Sequence, residues 1–441
     1  MSDPMTGFFL VDRRALDLGR LRPRGFKVLL EILVSHRDLR VVERPFRFGA
    51  RHAGTSKANA SQGIEFAHQL LSLRLKPASR SQWLYDVHGL VSVESDRALP
   101  ELERFLVRST TTAPSVSIRV ARMADVPLGE SVNLMRDLPT VSYRERTGFA
   151  MSLSVGPTNV EVTVSPSVAR SPHVLYTNVV EPILRWRLVE LGYALVHAAC
   201  FADGEDAFLV TARTDTGKTT TMLKVLDGSS LRFISDDLVI LSPDGIVLSY
   251  PKPLTISAHT VHALTDTMLT RRERLALLPQ SRIHSREGRR LAFLLTRYRL
   301  PVASINALIQ RVIPPPKYHV QRLVRGVEST PSANVAGMFV IQRGGTGEQH
   351  LGPEDSLSVL LSNCDDAFGF PPYASLERLL LAVAEDDLRT AERAIIASAL
   401  EGVQTRLLRS ESLDWANRIP DVVATWREAD VNDRAATGIP S

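Results

Sequence analysis

Residues Val210–Met222 read VTARTDTGKTTTM, and the reading of this stretch decides the fold. An apolar run, Ala207–Thr211, leads through a short polar turn into Gly217-Lys218-Thr219. A strand that ends in a glycine-containing turn at a helix N-terminus aims backbone N–H groups at an anion. In such a turn Lys218 reaches the β- and γ-phosphates of a nucleotide, and the Thr219 hydroxyl takes a place on Mg²⁺. Arg213, Thr214, Asp215, Thr216, Gly217, Lys218, Thr219 and Thr220 are therefore the nucleotide-binding candidates. Ala212 stands where such loops carry their first glycine, which a negative φ accommodates. Asp215 adds negative charge near phosphates unless it caps the helix or faces a cation.

Downstream, FISDDLVIL places Asp236 only 18 residues beyond Lys218. One short helix and one strand fit between them, so Asp236 and Asp237 are expected at a strand's carboxyl end beside the loop. A carboxylate there binds Mg²⁺ or accepts a hydroxyl proton during phosphoryl transfer. Successive strand residues face opposite ways, so the two carboxylates can divide those tasks.

His197 in LVHAACF, the loop, SDDLVIL and then YPKPLTIS together resemble the HPr kinase/phosphorylase C-terminal domain, a fold shared with PEP carboxykinase. The resemblance spans roughly residues 190–260. It implies an α/β (α+β) P-loop domain that uses ATP and Mg²⁺. It further implies His197 near the transferred phosphate, Lys218 on the phosphates, Asp236 as base, and Thr219 with Asp237 at the metal. The family's glutamate directly after the loop Ser/Thr is replaced here by Thr220, and its glycine-rich downstream signature has no counterpart. The acceptor is accordingly expected to be a hydroxyl on a peptide, small molecule or lipid-linked group, not HPr; a nucleotide-binding module without catalysis is the other outcome.

At the front, SDPMTGFFLVDRRAL, LRPRGFKVLLEILV and RPFRFGARHAGTSKA resemble the end of a polyprenol-phosphate (dolichol-phosphate) mannosyltransferase of the family-2 glycosyltransferases, over about residues 1–76. By that resemblance Arg51, Ser56 and Lys57 contact nucleotide-sugar or lipid phosphate, and arginine and lysine beside glycines suit phosphate oxygens. The family's Asp-x-Asp half is not seen in this sequence. A truncated gene model, a decayed fusion or completion by a partner chain would each explain that.

The chain has 441 residues, 44% hydrophobic and 23% charged, as soluble globular protein does. Its net charge of +5 is uneven: residues 1–80 carry a net +8 and the remainder a net −3. The basic first segment suits peripheral contact with an acidic membrane surface, and no nucleic-acid partner is expected. Arg271–Arg299 holds nine arginines and two glutamates, either a solvated helix face or a phosphate-binding run. Two cysteines, Cys200 and Cys364, have no metal-ligand spacing and favour a reducing cytoplasm. No apolar run approaches the ~18–20 residues that span a bilayer, and the N-terminus lacks the signature of a signal peptide.

Four segments are expected: 1–80, a glycosyltransferase remnant; 81–170, a small β-rich subdomain; 171–428, the P-loop domain with an Arg-rich helical insertion at about 258–327; and 429–441, a disordered tail. Short alternating runs such as SVSIRVAR and NVEVTVSP mark the β-rich part. Pro172 opens a helix to about Leu191, and LVILSPDGIVLSY reads as a hairpin around Pro243-Asp244-Gly245. Mixed helix is expected over 354–427. VIPPPKYHVQRL presents Lys317, Tyr318, His319 and Arg322 after a stiff turn, as a substrate clamp or an ordered loop. Homo-oligomerisation is compatible with all of this.

Overall fold

The computed structural model describes residues 9–13, 28–35, 42, 82–110, 113–135, 138–146, 148–156, 158–213, 216–256, 260–261, 263–264, 267–271, 273–274, 277, 316–365 and 387–437. The chain divides into two compact units, Met1–Gln82 and Trp83–Ser441. In the first, helix α1 (Val28–Ser35) buries Leu29 and Ile32. Arg51, Ser56 and Lys57 lie outside the described residues, as do Thr214, Asp215 and most of the Arg-rich run.

The second unit is α+β and holds two large sheets. The first sheet comprises β1 (Trp83–Val87), β2 (Val91–Ser95), β3 (Leu106–Val107), β4 (Val116–Val120), β5 (Gly129–Met135), β6 (Leu138–Arg144), β7 (Ala150–Val155) and β8 (Val160–Val164). Their order is β3-β1-β2-β4-β8-β7-β6-β5. Alternation on β4 and β8 puts Val116, Ile118, Val160, Val162 and Val164 inside, where they share one core with the following helix. That helix is not continuous. Pro172–Leu175 passes through a π turn, Tyr176–Val180, before α2 (Glu181–Glu190) begins. Pro182 lacks the N–H that would bond back into this stretch, and a wider turn accommodates the missing donor.

The second sheet is built from β9 (Ala194–Val196), β10 (Ala199–Asp203), β11 (Asp206–Thr211), β12 (Arg232–Ser235), β13 (Val239–Leu241), β14 (Ile246–Ser249), β17 (Ser332–Arg343), β18 (Gly347–Leu351) and β19 (Gln404–Ser410). Between β14 and β17, β15 (Leu254–Thr255) pairs with β16 (Lys317–Tyr318) in a separate ribbon. The main path is β12-β10-β11-β17-β14-β13-β9, with β19 on the far half of β17 and β18 beyond it. β11, β17 and β19 run parallel.

Both faces of this sheet are covered. Helices α3 (Lys218–Leu226) and α6 (Trp415–Thr437) pack on one side, with Phe208, Val210, Phe339 and Ile341. Helices α4 (Pro353–Asp365) and α5 (Leu388–Ala399) cover the other, with Ala207, Leu209, Met338 and Val340. Double-sided burial explains why these strands read as unbroken apolar runs.

Two expectations need correction. The stretch 354–427 is not purely helical, since β19 crosses it. Its sequence, QTRLLRS, buries the polar Thr405 and Ser410 beside Leu407 and Leu408 and so lacks a continuous apolar signal. The backbone of residues 429–437, expected to be disordered, continues α6 to Thr437; residues 438–441 lie outside the described set.

Candidate functional site

Strand β10 runs antiparallel to both β11 and β12, so the ends of β11 and β12 and the start of β10 share one edge of the sheet. The turn that ends in Gly217-Lys218-Thr219 leaves β11, Asp236-Asp237 leave β12, and His197 precedes β10. Ligands of α/β sheets gather at such carboxyl-terminal edges. Three signals spread over forty residues therefore converge.

The turn itself is braced from several sides. Thr216 donates both its N–H (3.2 Å) and its hydroxyl (2.7 Å) to the Arg213 carbonyl. Arg343 Nε donates to the Thr216 carbonyl at 2.9 Å. Gly217 caps α3 with φ +116°, a left-handed conformation that a side chain would strain. Ala212 is buried and absent from the positive-φ residues, which among the described non-glycines are His88, Asp237 and Leu413. Its methyl group is thus compatible with the turn. Thr220, standing where a glutamate was expected from the family pattern, meets the Thr260 hydroxyl at 3.1 Å.

Lys218 and Asp236 sit at the centre. The Thr219 hydroxyl donates to Asp236 Oδ2 at 2.7 Å. Asp236 Oδ1 and Lys218 Nζ are both buried, and neither has a hydrogen-bond partner among the described residues. Burial pushes the Asp236 carboxyl up to about 6 despite the opposing pull of Lys218 and Thr219. Burial likewise holds the Lys218 ammonium below its usual value. Unpaired buried polar atoms cost free energy unless a ligand supplies the missing bonds.

Asp237 has a different environment. Lys252 Nζ lies 2.6 Å from its Oδ2, and His197 Nδ1 lies 3.4 Å from its Oδ1. Lys252 reaches Glu181 Oε2 at 3.4 Å on its other side. Burial alone would raise the Asp237 carboxyl, but Lys252, His197 and Lys218 outweigh it and hold it well below the usual range. Asp237 also adopts φ +76°, a strained backbone for a residue with a side chain. His197 is held neutral, down to about 3, by burial and by Lys218. Its N–H donates to Cys364 Sγ at 3.4 Å, and its carbonyl accepts from Thr211 at 3.3 Å.

The sequence reading paired Thr219 with Asp237; the structure pairs it with Asp236 and sets Asp237 against His197 and Lys252. Arg343, Glu181 and the contact made by Cys364 were not anticipated. Lys252 lies inside the quoted YPKPLTIS, but nothing in that string assigned it a contact. Thr219, Asp236, Asp237, Lys252 and His197 line one cleft of about 310 Å³. Glu101, His173 and Lys317 line it too, from the first sheet's 3₁₀ turn (Pro100–Phe105), the turns before α2, and β16. No group of three or more His, Cys, Asp or Glu among the described residues makes a metal cluster. No described helix is long and apolar enough to cross a membrane.

No protein-family profile matches the chain. Part of it is similar to three dolichol-phosphate mannosyltransferases. The Pyrococcus furiosus protein is 37% identical over 73 residues, covering 17% of this chain and 21% of that one. The Saccharomyces cerevisiae protein is 40% identical over 82 residues, 16% of this chain and 30% of its own. The Mycosarcoma maydis protein is 33% identical over 76 residues, 16% and 26% respectively. The chain thus spans between about a fifth and a third of the length of these relatives. A glycosyltransferase-like segment is present in an α+β protein whose greater part these matches do not cover.

Proposed function

We propose that residues 83–441 form an ATP-dependent phosphotransferase acting on a hydroxyl. One observation carries this reading: Lys218 Nζ and Asp236 Oδ1 are buried and unpartnered on either side of the Thr219–Asp236 hydrogen bond. An ammonium left open at a helix N-terminus suits phosphate oxygens. A carboxylate oxygen left open beside a threonine hydroxyl suits Mg²⁺, which commonly takes one or two protein ligands and fills its other positions with phosphate and water. When bound, the ion would neutralise charge on the β- and γ-phosphate oxygens.

In this reading the two aspartates divide the tasks. Asp236, hydrogen-bonded to Thr219, belongs to the metal side. Asp237, anionic and half-exposed, faces the open cleft and orients the acceptor hydroxyl. The higher pKa of Asp236 favours it as a base, but a base must first lie within reach of the proton it takes. As the acceptor oxygen bonds to the γ-phosphorus, the bond to the β–γ bridging oxygen breaks and ADP leaves with that electron pair. The hydroxyl proton passes to Asp237. Lys218 and the turn's N–H groups stabilise the charge that develops. Titrating the full chain with Mg²⁺ and ATP, with Lys218→Ala as control, tests the reading. It expects binding by the wild type alone; equal behaviour of the two proteins overturns it.

A second reading rests on the mannosyltransferase similarity. The segment with Arg51, Ser56 and Lys57 would contribute lipid-phosphate contacts to transfer of mannose to dolichol phosphate, in concert with a donor-binding half. The matches cover 73 to 82 residues, 21% to 30% of the relatives' own length. Incubating the full chain with a nucleotide-mannose donor and dolichol phosphate tests it, and formation of mannosyl lipid, lost on Lys57→Ala, is the supporting result. No mannosyl lipid, with or without an added donor-binding half from a relative, rejects it.

A further inference from the structure

The cleft has a second polar cluster that the phosphate-transfer residues do not use. Glu101, only 3% exposed, sits on the 3₁₀ turn of the first sheet. Its Oε1 lies 2.8 Å from His173 Nδ1 and accepts a short hydrogen bond from Lys317 Nζ. Lys317 Nζ is also 2.7 Å from His173 Nδ1. An ammonium has no acceptor capacity, so Lys317 donates to the Glu101 carboxylate. His173 Nδ1 lies between the two, donating to Glu101 when it carries the proton and accepting from Lys317 when it does not, and burial favours the neutral ring. Three sequence regions 72 to 216 residues apart thus meet in one triangle.

The triangle is incomplete. Glu101 Oε2 is buried and has no hydrogen-bond partner among the described residues. His173 Nε2 and at least one Lys317 N–H are not used within the triangle. A wall of this kind offers one carboxylate acceptor, at least one ammonium donor and one imidazole nitrogen at close range. A ligand carboxylate or phosphate would meet Glu101, and a ligand ammonium would meet Lys317. A hydroxyl donates and accepts at once and satisfies both. The cleft, about 310 Å³ in all, has room for a transferred phosphate and a small molecule. Lys252, which joins Asp237 to Glu181, stands between this wall and the phosphate-transfer end.

We propose that Glu101, His173 and Lys317 form the acceptor subsite, and that the acceptor is a small neutral polyhydroxylated molecule of the sugar or polyol class. The subsite rests on the phosphotransferase reading for its chemistry, but its binding step does not. The two tasks lie on different parts of the fold. The first sheet and the turns before α2 recognise the acceptor, and the second sheet handles the phosphates.

The test uses the full chain in two arms. In the first, ligand-observed NMR without nucleotide measures binding of D-glucose, myo-inositol and glycerol to wild type, Glu101→Gln and His173→Gln. In the second, ³¹P NMR follows phosphate transfer from ATP to the same probes and to a serine-containing peptide, with ATP affinity measured separately. The expected result is binding of at least one polyol by the wild type, weakened at least about tenfold in both variants, a loss of one hydrogen-bonded group. ATP affinity is expected to stay unchanged in both. His173→Gln keeps a side-chain donor on a partly exposed position, so it guards against a Glu101→Gln variant that fails to fold. Polyol binding without ATP binding would leave the subsite standing and reject the phosphotransferase reading. ATP binding with no polyol binding, or transfer to the peptide at equal rates in all three proteins, overturns the subsite.

Discussion

The Thr219 hydroxyl donates to Asp236 Oδ2 across 2.7 Å, tying the first turn of α3 to the end of β12. A single hydrogen bond therefore joins the turn after β11 to the acidic pair. Removing the hydroxyl leaves a buried carboxylate without its donor and removes a metal ligand from the proposed site. Thr219→Ala is expected to weaken Mg²⁺-dependent ATP binding about tenfold or more, equivalent to about 1.4 kcal/mol, while Thr219→Ser retains it. Calorimetric titration with and without Mg²⁺ distinguishes the outcomes. Equal weakening by Thr219→Ser would mean that the methyl group, not the hydroxyl, matters.

Lys218 gives a prediction in which stability and binding move in opposite directions. Its folded-state pKa lies below its unfolded value, so the unfolded chain holds the proton more tightly and the buried ammonium opposes folding. Asp236, raised to about 6, is protonated near pH 5 and no longer compensates that charge. At pH 5 the ligand-free Lys218→Met protein is expected to be more stable than wild type, by on the order of 1 kcal/mol. ATP binding is expected to fall on the order of 10²-fold at neutral pH. Urea unfolding at pH 5 checks the first half, and a less stable variant would show that Lys218 has protein partners.

Glu101 sets an acid limit. Burial raises its carboxyl, but His173 and Lys317 outweigh burial and bring it down to about 2 from 4.5. A depressed acid contributes stability that is fully present above the unfolded pKa and lost as pH falls toward the folded one. The shift alone corresponds to about 3 kcal/mol. Lys317 is itself held below its usual value by burial, so the cluster's net contribution is smaller, about 1–2 kcal/mol. Wild type should lose that stability between pH 4.5 and 2, and Glu101→Gln should show a flatter profile in urea titrations over the same window.

The end of the cleft that gathers His197, Thr219, Asp236 and Asp237 was legible because its signals are local. Loop, aspartate pair and histidine fall within forty residues and flank strands whose double burial leaves continuous apolar runs. The hairpin around Pro243-Asp244-Gly245 was equally plain, since turn chemistry is written in adjacent residues. The Glu101–His173–Lys317 cluster was not legible as a unit. VIPPPKYHVQRL drew attention to Lys317, but its partners Glu101 and His173 stand 216 and 144 residues away. Neither Glu101 nor His173 belongs to a motif in its own segment. β18 and β19 escaped for a different reason: GEQHL is largely exposed along the sheet's edge, so period-two burial leaves almost no trace in it.

Gly337, in the middle of β17, marks a close approach. Its φ is not left-handed, so the glycine is needed for space and not for backbone freedom. A Cβ built there would lie 2.3 Å from Trp426 Cζ3 and 2.8 Å from Cε3. Trp426 is wedged between Phe339, at 4.9 Å between ring centroids, and Phe208, at 6.1 Å, so the indole has little room to withdraw. Overpacking of this kind costs about 1–3 kcal/mol. Gly337→Ala is expected to destabilise by that amount, measured by urea unfolding. Trp426→Leu should also destabilise, by opening a cavity on the same face. Because both changes act on one contact, their effects cannot add. The double variant Gly337→Ala/Trp426→Leu is expected to be more stable than the two single losses predict, by about 1 kcal/mol or more. Strict additivity would show that β17 and α6 do not meet at this point, and the packing of α6 over β11 and β17 would need another anchor.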